Sequence, residues 1–178
     1  MRAPDPPLTD ERVSLRAWTP GDVADIVRCC NDPLIARYVA VLPVPYTDED
    51  ARAYIAQNDP RKLDLAITDA DGGRMLGAVG VGRRHEDPAV AEIGYWLGAD
   101  ARGRGAATCA LHLLSAWVLR ELPVARLQLT TDAENEASQR VAIRAGFTRE
   151  GLLRAWYDRR GERRDAVMFS LLPGDPQA

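Results

Sequence analysis

Apolar and polar residues alternate along AEIGYWL, Ala91–Leu97, and aromatic and β-branched side chains gather there, so this stretch predicts a strand. The same reading predicts strands over Val13–Arg16, Leu63–Thr68, Arg74–Arg83, Val124–Thr131, Leu152–Asp158 and Arg164–Leu172. DADGG is hairpin-turn chemistry between the second and third of these, HEDP turns the chain into Ala91, and RRGE joins the last two. Strands joined so briefly pair antiparallel, because parallel pairing needs a crossover. Only Ala91–Leu97 and Val124–Thr131 are separated by a long helix, which predicts parallel neighbours or strands splayed apart.

Helices fill the remaining intervals. Thr19, Pro20, Gly21 and Asp22 supply a cap, a proline at the first helical position and an early acid for a helix ending near Asn31, where NDP breaks it. Leu34–Val41 reads as a short helix or turn. Thr47 with Asp50 forms a capping box for a helix reaching about Asn58. Ala106–Arg120 is apolar except for the stripe Thr108, His112 and Ser115, as expected of a helix lying on a sheet. The last helix runs from near Asn135 to Gly146, a residue suited to the left-handed cap. Residues 1–10, proline-rich and polar, are expected to be a loose tail before one domain over 11–173.

Composition narrows the classes. The chain has 178 residues, 46% hydrophobic and 28% charged, with a net charge of −3, so a nucleic-acid partner gripped through a general basic surface is not expected. No apolar run reaches the roughly 20 residues that span a bilayer, and no signal-peptide core opens the sequence, so no membrane partner and a cytoplasmic location are expected. Cys29, Cys30 and Cys109 lack zinc or disulfide spacing and read as small buried hydrophobes. His85 and His112 have no carboxylate at helical spacing, and no metal is expected.

The candidate chemistry lies in the turn after Leu97. Arg102, Gly103, Arg104, Gly105, Ala106 and Ala107 form R-x-x-G-x-A at a helix N-terminus. Unpaired N–H groups, the positive end of the helix dipole and two arginines converge there, the requirements of a phosphate or pyrophosphate seat. Two nucleotide-binding readings compete. GRGAAT approximates a dinucleotide fingerprint, with Thr108 in the third glycine position and Asp132 as the ribose acid. That version needs a substitution and a parallel sheet, whereas the arginine-led version fits at every position.

LRAW and NDP near the start, EIGYWL, RGRGAA, ENEASQRVAIRAGF and RDAVMFSLL occur in an order and spacing that resemble the GNAT acyl-CoA N-acyltransferase family, in particular its ribosomal-protein N-terminal acetyltransferase branch. The resemblance covers nearly the whole chain. It implies an α/β (α+β) fold with a mixed, mostly antiparallel central sheet of about seven strands and helices on both faces. Acetyl-CoA is the implied donor, an amine the acceptor, and a homodimer the family-level assembly.

On that reading the pyrophosphate sits on the backbone of Arg102–Ala107 and the pantetheine arm adds to the strand edge at Tyr95, Trp96 and Leu97. A free N–H near Trp96 or Leu97 would stabilise the thioester oxyanion. The family's matching asparagine contacts CoA and its matching serine lies near the thiol, which assigns these parts to Asn135 and to Ser138 as general acid; Asn135 is also a ready helix cap. Many members carry a tyrosine four residues before the G-F pair, where this chain has Ala142, so the acid is Ser138, comes from Tyr157, or is lost. Glu92, on the strand face of Gly94 and Trp96, is the candidate base, with a solvated strand-edge carboxylate as the alternative. Trp18, Tyr38, Tyr46 and Tyr54 lie where the family places its acceptor cleft and could equally be packing residues. The arginine-rich hairpin RAWYDRRGERRD reads as a solvated surface, with attraction of an acidic acceptor or of the 3′-phosphate of CoA as the alternative. A non-catalytic acyl-CoA-binding module and an NAD-type dinucleotide-binding protein are the remaining alternatives.

Overall fold

The computed structural model describes residues 1–39, 42–83 and 86–175; His85 of the HEDP turn lies outside them. Its strands are β1 (Leu8–Thr9), β2 (Val13–Arg16), β3 (Lys62–Asp69), β4 (Met75–Arg83), β5 (Val90–Leu97), β6 (Arg126–Asp132), β7 (Thr148–Arg159) and β8 (Glu162–Leu171). They form one sheet in the order β1-β2-β3-β4-β5-β6-β8-β7, antiparallel except between β5 and β6. The extra strand relative to the expected seven is β1. Leu8–Thr9 pairs with Leu15 and Ser14, and Met1, Ala3 and Leu8 pack on the core, so the supposed loose tail is tied to the sheet.

The alternation in β2 to β5 sorts side chains to two faces. Val13, Leu15, Leu63, Leu65, Ile67, Val79, Val81, Ala91 and Ile93 turn to one face, where α4 (Ala106–Glu121) covers them with Ala110, Leu111, Leu114 and Val118. Ser115, read as part of a polar stripe, is fully buried in this layer. Beside α4 lies α5 (Glu136–Arg144). The opposite face carries α1 (Val23–Cys30), α2 (Pro33–Tyr38) and α3 (Asp48–Ile55) around a smaller core of Val23, Ile26, Ile35, Ala51 and Met75. A 3-10 turn at Pro20–Asp22 precedes α1. Cys29 and Cys30 are buried in this second core, and burial raises both thiols, Cys30 to about 12. Cys109 is half-buried on α4, its thiol also raised by burial.

The dinucleotide reading fails on topology and on Asp132. The glycine turn follows the fifth strand of an antiparallel run rather than the first of a parallel sheet. Asp132 is buried and committed: the Tyr157 hydroxyl donates to it at 2.6 Å and Arg159 at 2.8 Å, with Arg164 at 3.9 Å. Part of the arginine-rich hairpin is thus folded onto the end of β6 rather than left in solvent.

Candidate active site

The site begins where β5 loses a neighbour. β6 pairs with it only from Val90 to Glu92, opposite Arg126 to Gln128. The Ala89 carbonyl accepts from Ala125 at 2.8 Å on the β6 side, while Gly98 donates to Leu76 of β4 at 2.9 Å. Main-chain groups alternate along a strand, so odd positions turn toward β6 and even positions toward β4. Past Glu92 the N–H groups of Tyr95 and Leu97 therefore face a cleft, and that of Trp96 is directed at β4. Of the two N–H groups expected near the thioester, Leu97 has the free edge.

This cleft opens into a groove of about 710 Å³ whose lining includes Tyr95, Trp96, Leu97, Arg102, Gly103, Arg104, Gly105, Ala106, Ala107, Asn135 and Ser138, so the residues expected to bind the cofactor are brought together. Gly103 and Gly105 have φ of 75° and 83°, which is why glycine stands at both. Gly105 caps α4 without a side-chain bond, and the first helical bond runs from Cys109 N–H to the Gly105 carbonyl. The N–H groups of Ala106, Ala107 and Thr108 thus enter the groove wall as helix-end donors without helical partners.

Arg102 differs from the expectation. Its Nη2 donates to Asp32 at 2.6 Å and its Nε to the Leu97 carbonyl at 3.1 Å, so its guanidinium ties α2 to the end of β5. Asp32 is held below the usual carboxylate range despite burial, by Arg102 and by the α2 N–H groups it caps. The cationic lining comes instead from Arg104 and from Arg12, Arg140 and Arg144, which the sequence reading missed. Arg140 and Arg144 had a readable signal, the i, i+4 repeat on the helix that starts at Asn135. Arg12 had none, since tertiary packing alone brings β2 beside the α4 terminus.

Across the groove, Asn135 caps α5 by accepting from Ser138 N–H at 3.1 Å and also lines the groove. The Tyr95 hydroxyl donates to Ser138 Oγ at 3.1 Å. Burial pushes the Tyr95 phenol up, so it stays protonated as the donor and leaves the Ser138 proton free to be given elsewhere. Ala142 is fully buried, and the Tyr157 hydroxyl is bound to Asp132, which withdraws Tyr157 as a substitute acid.

A second groove, of about 1140 Å³, meets the first along Val39, Tyr95 and Trp96. Glu92 lies in its wall with Gly94 and Trp96, as strand alternation predicted, exposed and accepting from Thr130 Oγ1 at 3.0 Å. It does not line the first groove. Of the aromatic candidates, Trp18 packs edge-on against Tyr54 with ring centroids 5.5 Å apart. Tyr46 and Tyr54 pack and also line the second groove, whereas Tyr38 lines the first. His112 is half-buried on α4 and lines neither. Among the described residues no group of three or more His, Cys, Asp or Glu could hold a metal ion.

The two grooves carry opposite charge. Among the described residues, the first is lined by Arg12, Arg102, Arg104, Arg140 and Arg144 and by no acid; the second by Asp50, Asp64, Glu86 and Glu92 against Lys62 and Arg83.

Comparison with known proteins gives the family and the shared fold. The chain is 29% identical over 171 residues to the uncharacterized N-acetyltransferase p20 of Bacillus licheniformis, covering 93% of this chain and 95% of that one. It is 32% identical over 169 residues to the Bacillus subtilis (strain 168) protein named "Putative ribosomal N-acetyltransferase YdaF", covering 92% of each. The fold is shared with the crystallised RimL, a ribosomal alpha-N-protein acetyltransferase in complex with coenzyme A, at a TM-score of 0.81 and 21% identity over 93% of this chain and 97% of that one. Residues 12–148 match the family described as Acetyltransferase (GNAT) domain, and the chain belongs to the GNAT family of N-acetyltransferases.

Proposed function

We propose that the enzyme transfers an acetyl group from acetyl-CoA, bound in the arginine-lined groove, to a primary amine arriving through the second. The observation that carries this is the meeting of a basic and a predominantly acidic groove at Tyr95 and Trp96. A diphosphate fits the first, with helix-end N–H groups and the guanidinium groups of Arg12, Arg104 and Arg144; a cationic amine fits the second.

The reaction follows from the placement of groups. The pantetheine arm runs along the free edge of β5 as an added strand, past Leu97 and bringing the thioester carbonyl to the Tyr95 N–H, which stabilises the oxyanion. The amine loses its proton toward Glu92, directly or through water, and attacks the carbonyl carbon. The C–S bond then breaks, and the leaving thiolate takes the Ser138 proton while Tyr95 holds the serine oxygen. The product is an amide and free CoA.

The test is release of free thiol from acetyl-CoA over a panel of primary amines, with succinyl-CoA as the longer-chain comparison. Thiol release that depends on the amine is expected. CoA binding without release for any acceptor would instead identify a non-catalytic binding module, the reading that Ala142 favours. A homodimer and a cytoplasmic location rest on the sequence reading alone and are tested by light scattering and cell fractionation.

A further inference from the structure

The second groove contains a carboxylate for which acetyl transfer as described has no use. Asp64 on β3 stands opposite Gly80 on β4, and Gly80 stands opposite Gly94 on β5. A Cβ on Gly80 would lie 2.1 Å from Asp64 Oδ1, so the carboxylate rests on bare β4 backbone and leans toward β5. A Cβ on Gly94 would meet nothing within 4 Å. Asp64, Gly80 and Gly94 thus make a lane free of side chains from a carboxylate to the strand edge beside Tyr95.

The lane is built rather than incidental. Tyr54 on α3 backs Asp64 and is itself held edge-on by Trp18. Burial raises the carboxyl of Asp64, while Lys62 and the Tyr54 hydroxyl oppose the rise. Lys62 is exposed at the rim, one row out and opposite Gly82. A half-buried carboxylate facing an open groove whose described lining carries more acids than bases is a site for a cation.

We propose that Asp64 recognises the acceptor by holding a second cationic nitrogen over Gly80 while the reacting amine lies over Gly94. Neighbouring strands are spaced by about 4.8 Å and Gly80 pairs directly with Gly94, so the two nitrogens are separated by one spacing, roughly 5 Å. The acceptor class is a primary amine carrying another positive charge at that distance. A free alkyl diamine and a peptide terminus with a nearby basic side chain share this chemistry. The inference rests on the acetyl-transfer reading for its reaction, but not for its binding.

The experiment compares wild type, Asp64→Asn and Gly80→Ala with two acceptor pairs: diaminobutane against aminobutane, and a short peptide with lysine in second position against its norleucine counterpart. Asp64→Asn raises KM for the dicationic member by about 10- to 100-fold, the worth of one charge-assisted bond, and leaves the monocationic partner and acetyl-CoA unchanged. Gly80→Ala, whose new methyl displaces the carboxylate, repeats the pattern. Selective loss in the first pair assigns free diamines, and in the second peptide termini. Equal effects on both members of both pairs, or none, overturn the proposal. If wild type releases no thiol with any acceptor, the transfer reading falls by itself and calorimetry decides Asp64: diaminobutane binding lost in Asp64→Asn supports the site, and unchanged binding overturns it.

Discussion

The phenolic hydroxyl of Tyr95 donates to Ser138 Oγ at 3.1 Å, joining β5 to α5 across the gap left when β6 parts from β5. Two residues 43 positions apart in the chain thus share one hydrogen bond at the point where the grooves meet.

Ser138→Ala removes the proposed acid and lowers kcat by about 100-fold or more, in the range of general acid catalysis. KM for acetyl-CoA changes little, because the backbone seat is untouched. Tyr95→Phe leaves the serine proton in place and costs less, about tenfold, since water can replace one orienting bond. Steady-state thiol release on both variants checks the order; equal rates for Ser138→Ala and wild type would remove the serine from the mechanism.

Gly105 tests the anion seat. Its φ of 83° disfavours any side chain by about 1–3 kcal/mol, and a Cβ there would lie 2.6 Å from Arg12 Nη1. Gly105→Glu adds negative charge as well and abolishes acetyl-CoA binding, read by calorimetry or thermal shift. Unchanged affinity there refutes the seat.

Arg12 and Arg102 separate binding from architecture. Arg12→Ala weakens acetyl-CoA by about tenfold at unchanged stability, since its guanidinium makes no ion pair among the described residues. Arg102→Ala frees Asp32 and the Leu97 carbonyl, so it lowers the unfolding midpoint even without ligand. Denaturant unfolding of the two apo variants shows the difference.

Asp132→Ala strips Tyr157 and Arg159 of a buried partner and destabilises by about 3–5 kcal/mol, the cost of breaking a buried pair on one side. The measurement is denaturant unfolding.

Glu150 gives a pH dependence. Arg126 first, and the Ser170 hydroxyl second, hold its carboxyl down to about 2 from the usual 4.5. A depressed folded-state value contributes stability above pH 4.5 that is lost as pH falls toward 2. With side chains 29% and 39% exposed, solvent screening limits this to under about 1 kcal/mol. Glu150→Gln is therefore slightly less stable at pH 7, and the difference vanishes near pH 2 in unfolding experiments.

Much of this protein can be read from side-chain order alone. Periodicity in β2 to β5, the caps at Thr47 and Asn135, and the glycines of the R-x-x-G-x-A turn are local signals, because each concerns residues within one or two turns of chain. They predict the antiparallel meander, the helix behind it and the residues Tyr95–Leu97 and Arg102–Ala107 that line the first groove. What they misjudge is governed by pairing. β7 starts at Thr148 rather than Leu152 because polar TREG extends the ladder on β8 without an apolar pattern, and β1 exists only as a partner of β2.

Tertiary structure alone decided which charges remain free. The sequence supplies Arg102 as a phosphate ligand and says nothing of Arg12, but folding spends the first on Asp32 and brings the second to the glycine turn. It likewise sets Asp64 on the bare backbone of Gly80 and turns Asp132 inward to Tyr157 and Arg159. A residue's type fixes the chemistry it can perform. Whether it is available depends on neighbours far along the chain, whose positions only long-range packing determines.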